Sequence, residues 1–166
     1  MTSPSAVFPL LGFLLVSCIS SNPPAPPVRW FDPTPPRVAL DARRPVRVTS
    51  AAFLRQDFVV RIPPYELSID DSLRWVAPPE QLVAAALDNT VALPADLSIE
   101  VVRFEFEVGD TTRAVVELLC ASEGRTVPVR VRCDAISRAP EQLAVAMAQA
   151  LSEVSRAVVA AVVKGG

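Results

Sequence analysis

Proline sets the first limit on this chain. From Pro23 to Pro36, seven of 14 residues are proline. Proline has no N–H to give, so this stretch makes neither a helix nor a central strand. It is expected as polyproline II or irregular chain, rising ~3.1 Å per residue. It splits the 166 residues into a leading segment and one folded part. From Ile19 to Pro36 the tether would reach roughly 55 Å. Its middle, Val28-Arg29-Trp30-Phe31-Asp32, is unlike a linker. Two adjacent aromatics are expected to dock on the domain rather than float in water.

The leading segment reads as a targeting signal. Val7 to Val16 is an uncharged apolar run, VFPLLGFLLV. It is about half the ~20 residues that span a bilayer as a helix, and it contains Pro9 and Gly12. It fits the apolar region of a secretory signal. The run ends in Leu15-Val16-Ser17-Cys18, which resembles a bacterial lipobox. That resemblance implies cleavage before Cys18 and acylation of its thiol, an anchor worth ~0.8 kcal/mol per buried CH₂. No Lys or Arg precedes the run. Ile19 rather than Asp follows the cysteine, which under the enteric sorting rule implies the periplasmic face of the outer membrane. The expected organisation is a signal peptide at 1–17, a Pro-rich tether at 18–36 and one globular domain at 37–166.

The domain is expected to be α/β (α+β), with a mixed or antiparallel sheet and two helices. Residues 45–50 alternate and read as a strand, as do 58–62 and 65–69 around the interrupting Pro63-Pro64. Asp70-Asp71-Ser72 reads as a turn. Pro78-Pro79-Glu80 opens a short helix, about 78–88, because proline suits the first helical turn. Its buried stripe is Leu82, Ala86 and Val83. Residues 89–95 read as a loop.

A three-strand meander follows, and its register can be derived. A two-residue turn at Glu123-Gly124 sets Val116 opposite Val131, Leu118 opposite Val129 and Glu117 opposite Arg130. A three-residue loop, 109–111, sets Phe104 opposite Val116, Phe106 opposite Ala114, Glu107 opposite Arg113 and Arg103 opposite Glu117. A two-residue loop would place Phe106 against Arg113 and bury charge, so the longer loop wins. Val102, Phe104, Phe106 and Val108 then share the inner face. The outer face carries the row Arg103–Glu117–Arg130, with Val101, Val115 and Leu119 among it. The last element is a long helix, about 140–163. Leu143, Met147, Leu151, Val154, Val158 and Val162 form its buried stripe. Its polar face is not strongly basic, which argues against a membrane-lying helix.

Cys120 and Cys133 are far apart in this register, roughly 20 Å, and are expected to stay unpaired as small core residues. The chain has no histidine, so Ser-His and Cys-His nucleophile pairs and His-containing metal sites are excluded. A net charge of −2 gives no reason to expect a nucleic-acid partner. No acid–base constellation is visible, and no cofactor or metal is expected.

One segment stands out chemically: Tyr65 to Trp75 puts a Tyr, an Arg and a Trp just before a helix. Tyr65, Arg74 and Trp75 are therefore candidate interface residues. Trp75 has a second reading as a core residue, with Arg74 paired to Asp70 or Asp71.

The stretch Phe58-Val59-Val60-Arg61, Tyr65-Glu66-Leu67 and Leu73-Arg74-Trp75-Val76-Ala77-Pro78-Pro79-Glu80-Gln81-Leu82-Val83 resembles the ABC-type transport auxiliary lipoprotein family, the paraquat-inducible protein C-like group. Members carry a lipobox, an R-W-A-x-P motif heading a helix, then strands and an Ala-rich last helix. Arg29-Trp30-Phe31-Asp32-Pro33 resembles the aromatic start of the mature domain there. Val76-Ala77 stands where an alanine and an acidic residue are commoner. The resemblance implies an α/β domain without enzyme activity, serving an ABC/Mce-type transporter of lipids or hydrophobic solutes. It implies docking on the transporter's periplasmic substrate-binding (Mce-type) subunit; a second copy of this chain is a further candidate partner. The competing reading is a lipid or small-hydrophobe carrier with its own pocket. The small apolar inventory argues against that, because a pocket of ~300 Å³ or more would leave the core underfilled.

Overall fold

The computed structural model describes residues 25–34, 46–64, 66–88 and 93–163. Cys18 and the signal segment lie outside the described residues. The described elements are β1 (Arg29–Phe31), β2 (Arg47–Ser50), β3 (Asp57–Ile62), β4 (Glu66–Trp75), α1 (Pro79–Leu87), β5 (Ser98–Val108), β6 (Thr112–Ser122), β7 (Arg125–Ala135) and α2 (Pro140–Val163). The strands form one mixed sheet in the order β1-β4-β3-β5-β6-β7. β6 holds one edge of β5. β2 and β3 share the other, both parallel to it, at Ser98–Val101 and at Phe106 and Glu107. The expected α+β class, the C-terminal meander and both helices are present.

The meander follows the derived pairing. Phe104 faces Val116, Phe106 faces Ala114, and Val116 faces Val131. Glu123 and Gly124 have φ of 51° and 73°, the positive values that a type I′ hairpin turn needs. Asp96 braces this turn, accepting the Glu123 N–H at 2.7 Å and the Ser122 hydroxyl at 2.8 Å.

Four expectations need correction. A bulge at Val102 shifts the register between Val101 and Arg103. Val101 therefore enters the core, fully buried, where an unbroken strand would have sent Val102. Asp70-Asp71-Ser72 does not end a strand; β4 runs through it to Trp75. Ser72 donates its N–H and hydroxyl to Asp70 Oδ1 at 3.0 and 2.6 Å. Turn-like side-chain bonding is thus present, but as an irregularity in β3–β4 pairing. The folded part starts before Arg37: Arg29–Phe31, inside the stretch expected as tether, pairs in parallel with Leu73–Trp75. Of its two aromatics only Phe31 turns inward, because neighbours on a strand point to opposite faces.

Both helices cover one face of the sheet. α2 packs on β6 and β7, and α1 packs on β2, β5 and α2. Leu143, Met147, Leu151, Val154 and Val158 are buried as the periodicity predicts, joined by Ala146 and Ala150. The Ser155 hydroxyl donates to the Ala86 carbonyl at 2.8 Å, tying the helices together. Under β1, β3 and β4 the core is aromatic. Phe58 stacks on Trp75 at 4.0 Å between ring centroids, and Phe104 meets Trp75 edge-on at 5.6 Å.

Cys120 and Cys133 are free thiols, on strand positions facing Val127 and Ala114. Burial pushes the Cys120 thiol up to about 11. Burial first, then Glu153 and Asp134, raises the Cys133 thiol. In a Cys18→Ala variant, a thiol reagent is expected to reach partly exposed Cys133 in the native state and Cys120 only on unfolding. Loss of both thiols to a disulfide would mean that the strand register is wrong.

Candidate partner interface

Among the described residues, the sheet has one face under the helices and one face free of them. The free face carries a lattice of charge. Arg61 donates to Glu105 Oε1 and Oε2 at 2.6 and 3.1 Å, and Arg103 Nε donates to Glu105 Oε1 at 2.7 Å. Glu105 is only 3% exposed. The Glu105 hydrogen bond raises the Arg61 guanidinium further above its ordinary value. Glu117 lies 3.7 Å from Arg103 and 3.6 Å from Arg130, the derived row. Glu107 approaches Arg130 at 3.5 Å and Arg132 at 3.7 Å. Most of these acids and bases already answer one another, so the lattice stiffens the sheet more than it offers charge to a ligand.

At the β2 end of the same face lies an open cleft of about 470 Å³. Its lining includes Arg47, Thr49, Ser98, Glu100, Leu119 and Thr126. With Ile99 and Ala121 also lining it, the cleft is more apolar than polar.

The β1–β4–β3 end differs. Residues 66–71 of β4 are all exposed. β1 pairs only with Leu73–Trp75, so among the described residues 66–70 have β3 on one side and no paired strand on the other. Val28, Trp30, Ile62, Leu67, Ile69 and Val76, six of the nine exposed large apolar side chains among the described residues, lie on these strands or next to them. Leu67 pairs with Arg61 and Ile69 with Val59, which puts both on the helix-free face.

The three residues expected at an interface fare differently. Tyr65 lies outside the described residues. Trp75, 1% exposed, is in the core. Arg74 is half-buried; its Nε lies 2.9 Å from Asp57 Oδ1, an ion pair without a directed hydrogen bond. Its partner is thus Asp57 across β3–β4, not Asp70 or Asp71, because the β3–β4 irregularity brings Asp57 opposite Arg74. The residue beside Arg74 on the exposed side is Trp30, its register partner on β1, 54% exposed. The displayed Arg–Trp pair is therefore Arg74 with Trp30. The sequence pointed at adjacent residues, although neighbours on a strand face opposite ways. Leu67 and Ile69 were readable as apolar positions on an extended segment, but their exposure depends on the missing neighbour strand.

The fold has solved counterparts. A crystal structure of a Xanthomonas campestris protein from the family DUF330 aligns with a TM-score of 0.62 at 21% identity, covering 82% of this chain and 96% of that one. A crystal structure of an uncharacterized protein aligns with a TM-score of 0.51 at 15% identity, covering 66% of this chain and 84% of that one. No protein-family profile matches the sequence, and no curated protein is similar to it. At these identities the likeness is one of fold.

Proposed function

We propose that this chain is a non-enzymatic auxiliary lipoprotein of an ABC/Mce-type transporter of lipids or hydrophobic solutes. Cys18 anchors it at the periplasmic face of the outer membrane, and the β1–β4–β3 end docks on the transporter's periplasmic subunit. The observation that carries the docking role is the concentration of exposed apolar side chains at that end, over a core filled with stacked aromatics. Exposed apolar groups gathered in one place mark interaction sites, and Trp and Arg are enriched among binding hot spots. The lipobox supports the anchor.

Affinity purification of the full chain from detergent-solubilised membranes tests this. A permease, an ATPase and a periplasmic substrate-binding subunit are expected to co-purify. A Trp30→Ala, Ile69→Asp double variant, both sites being exposed, is expected to melt like the parent and to recover about tenfold less of the subunit. Mass spectrometry is expected to find Cys18 as an acylated mature N-terminus. An unmodified Cys18 in a soluble protein would sink the anchor. An acylated protein free of transporter subunits would sink the transport role.

A further inference from the structure

We infer that the free edge of β4, residues 66–71, is an acceptor for strand addition, and that its occupant is an extended segment alternating Lys or Arg with apolar residues. The inference rests on reading the chain as an adaptor and names how the partner is held. An unpaired strand presents a row of N–H and C=O groups that a second chain can complete. Natural sheets block such edges with proline, cover, bulges or charge, and the charges here, Glu66 and Asp70, turn away acidic guests rather than every guest. β4 itself carries no proline, and among the described residues no strand pairs with 66–70 on that edge.

The side chains choose the occupant. Leu67 and Ile69 project on the helix-free face, exposed. Glu66, Ser68 and Asp70, paired with Ile62, Val60 and Phe58, project on the other. No described side chain bonds to the Glu66 carboxylate, and Asp70 uses only Oδ1 for its bonds to Ser72. A second copy of this strand is the wrong guest. The antiparallel register that matches Leu67 with Ile69 sets Glu66 against Asp70, like charges directly opposite. A strand with apolar residues facing Leu67 and Ile69, and bases facing Glu66 and Asp70, satisfies both faces. An anionic lipid surface is disfavoured by the same acids.

The probe is a fluorescent peptide of about seven residues, typical strand length, alternating valine and lysine. It is titrated against the purified full chain in detergent. Two further peptides are N-methylated on one or the other set of alternate residues, which blocks opposite edges without changing charge. The parent peptide is expected to bind with salt sensitivity. One methylated peptide is expected to lose about tenfold in affinity while the other keeps it, since only one edge faces β4. An alternating valine–glutamate peptide is expected not to bind. A Glu66→Gln, Asp70→Asn variant, exposed and near-isosteric, is expected to bind the lysine peptide about fivefold more weakly. Equal binding of the two methylated peptides would overturn strand addition, and unchanged affinity in the Gln/Asn variant would overturn the charge rule. Dimerisation, or flotation on phosphatidylglycerol vesicles, that is abolished by Leu67→Asp would each replace the proposed occupant. Edge binding without transporter subunits in the purification would defeat the transport role but leave the edge standing. Recovery of the subunits without edge binding would do the reverse.

Discussion

Trp75→Ala is expected to destabilise the fold by about 3–5 kcal/mol, the range for removing a large buried aromatic. Trp75 is stacked on Phe58 at 4.0 Å and edge-on to Phe104, in a cluster that includes Phe31 and Phe106. Removing the indole leaves a cavity among rigid rings that cannot collapse into it. For a domain of this size the loss corresponds to a fall of about 10 °C in melting temperature. Trp75→Phe is the informative companion. The Trp75 Nε1 is buried without a hydrogen-bond partner among the described residues, so its loss removes a desolvation cost and no described bond. That variant is expected to cost about 1–2 kcal/mol, mostly for volume. Thermal melts and urea titrations measure both. An alanine variant as stable as the parent would place Trp75 at the surface and return it to the interface.

The meander was legible because its signals are local. Alternation fixed the faces, and the two hairpin loops fixed the registers, leaving charge burial to decide between loop lengths. The helices were legible for the same reason: a Pro-Pro start and a period of 3.6 need no distant partner. What failed was non-local or single-residue. The Val102 bulge hides in Val101-Val102, two identical residues of which either could turn inward. β1 hides in a proline-rich stretch, and its parallel partner lies more than forty residues away in sequence. Asp70-Asp71-Ser72 carries true turn chemistry, yet β3 and β1 hold the chain extended around it. The site was half legible. The segment from Tyr65 to Trp75 contains the exposed edge, but which aromatic is displayed depends on strand parity, and that depends on the same irregularity.

Glu105 on β5 is the second position where one substitution should be severe. It is nearly fully buried on the sheet face that no described helix covers, between the guanidinium groups of Arg61 and Arg103. Val115, its register partner on β6, is fully buried as well. Glu105→Ala leaves two arginines side by side with their shared acceptor gone. Breaking a fully buried ion pair costs about 3–5 kcal/mol. Here the arginines are 29% and 19% exposed, so water offsets part of the loss and about 2–3 kcal/mol is expected. Glu105→Gln tests the electrostatic share. It keeps the shape and one acceptor but no charge, and should recover less than half of the loss. The sharper control replaces all three residues with apolar ones, Arg61→Met, Arg103→Met and Glu105→Leu. Because desolvating the charges opposes their attraction, the triple variant is expected to be within about 1 kcal/mol of the parent while the single variant is not. Urea unfolding with a constant slope across the set would make these differences comparable. A Glu105→Ala variant as stable as the parent would mean that the lattice is solvated ornament, with no part in holding β3 to β5.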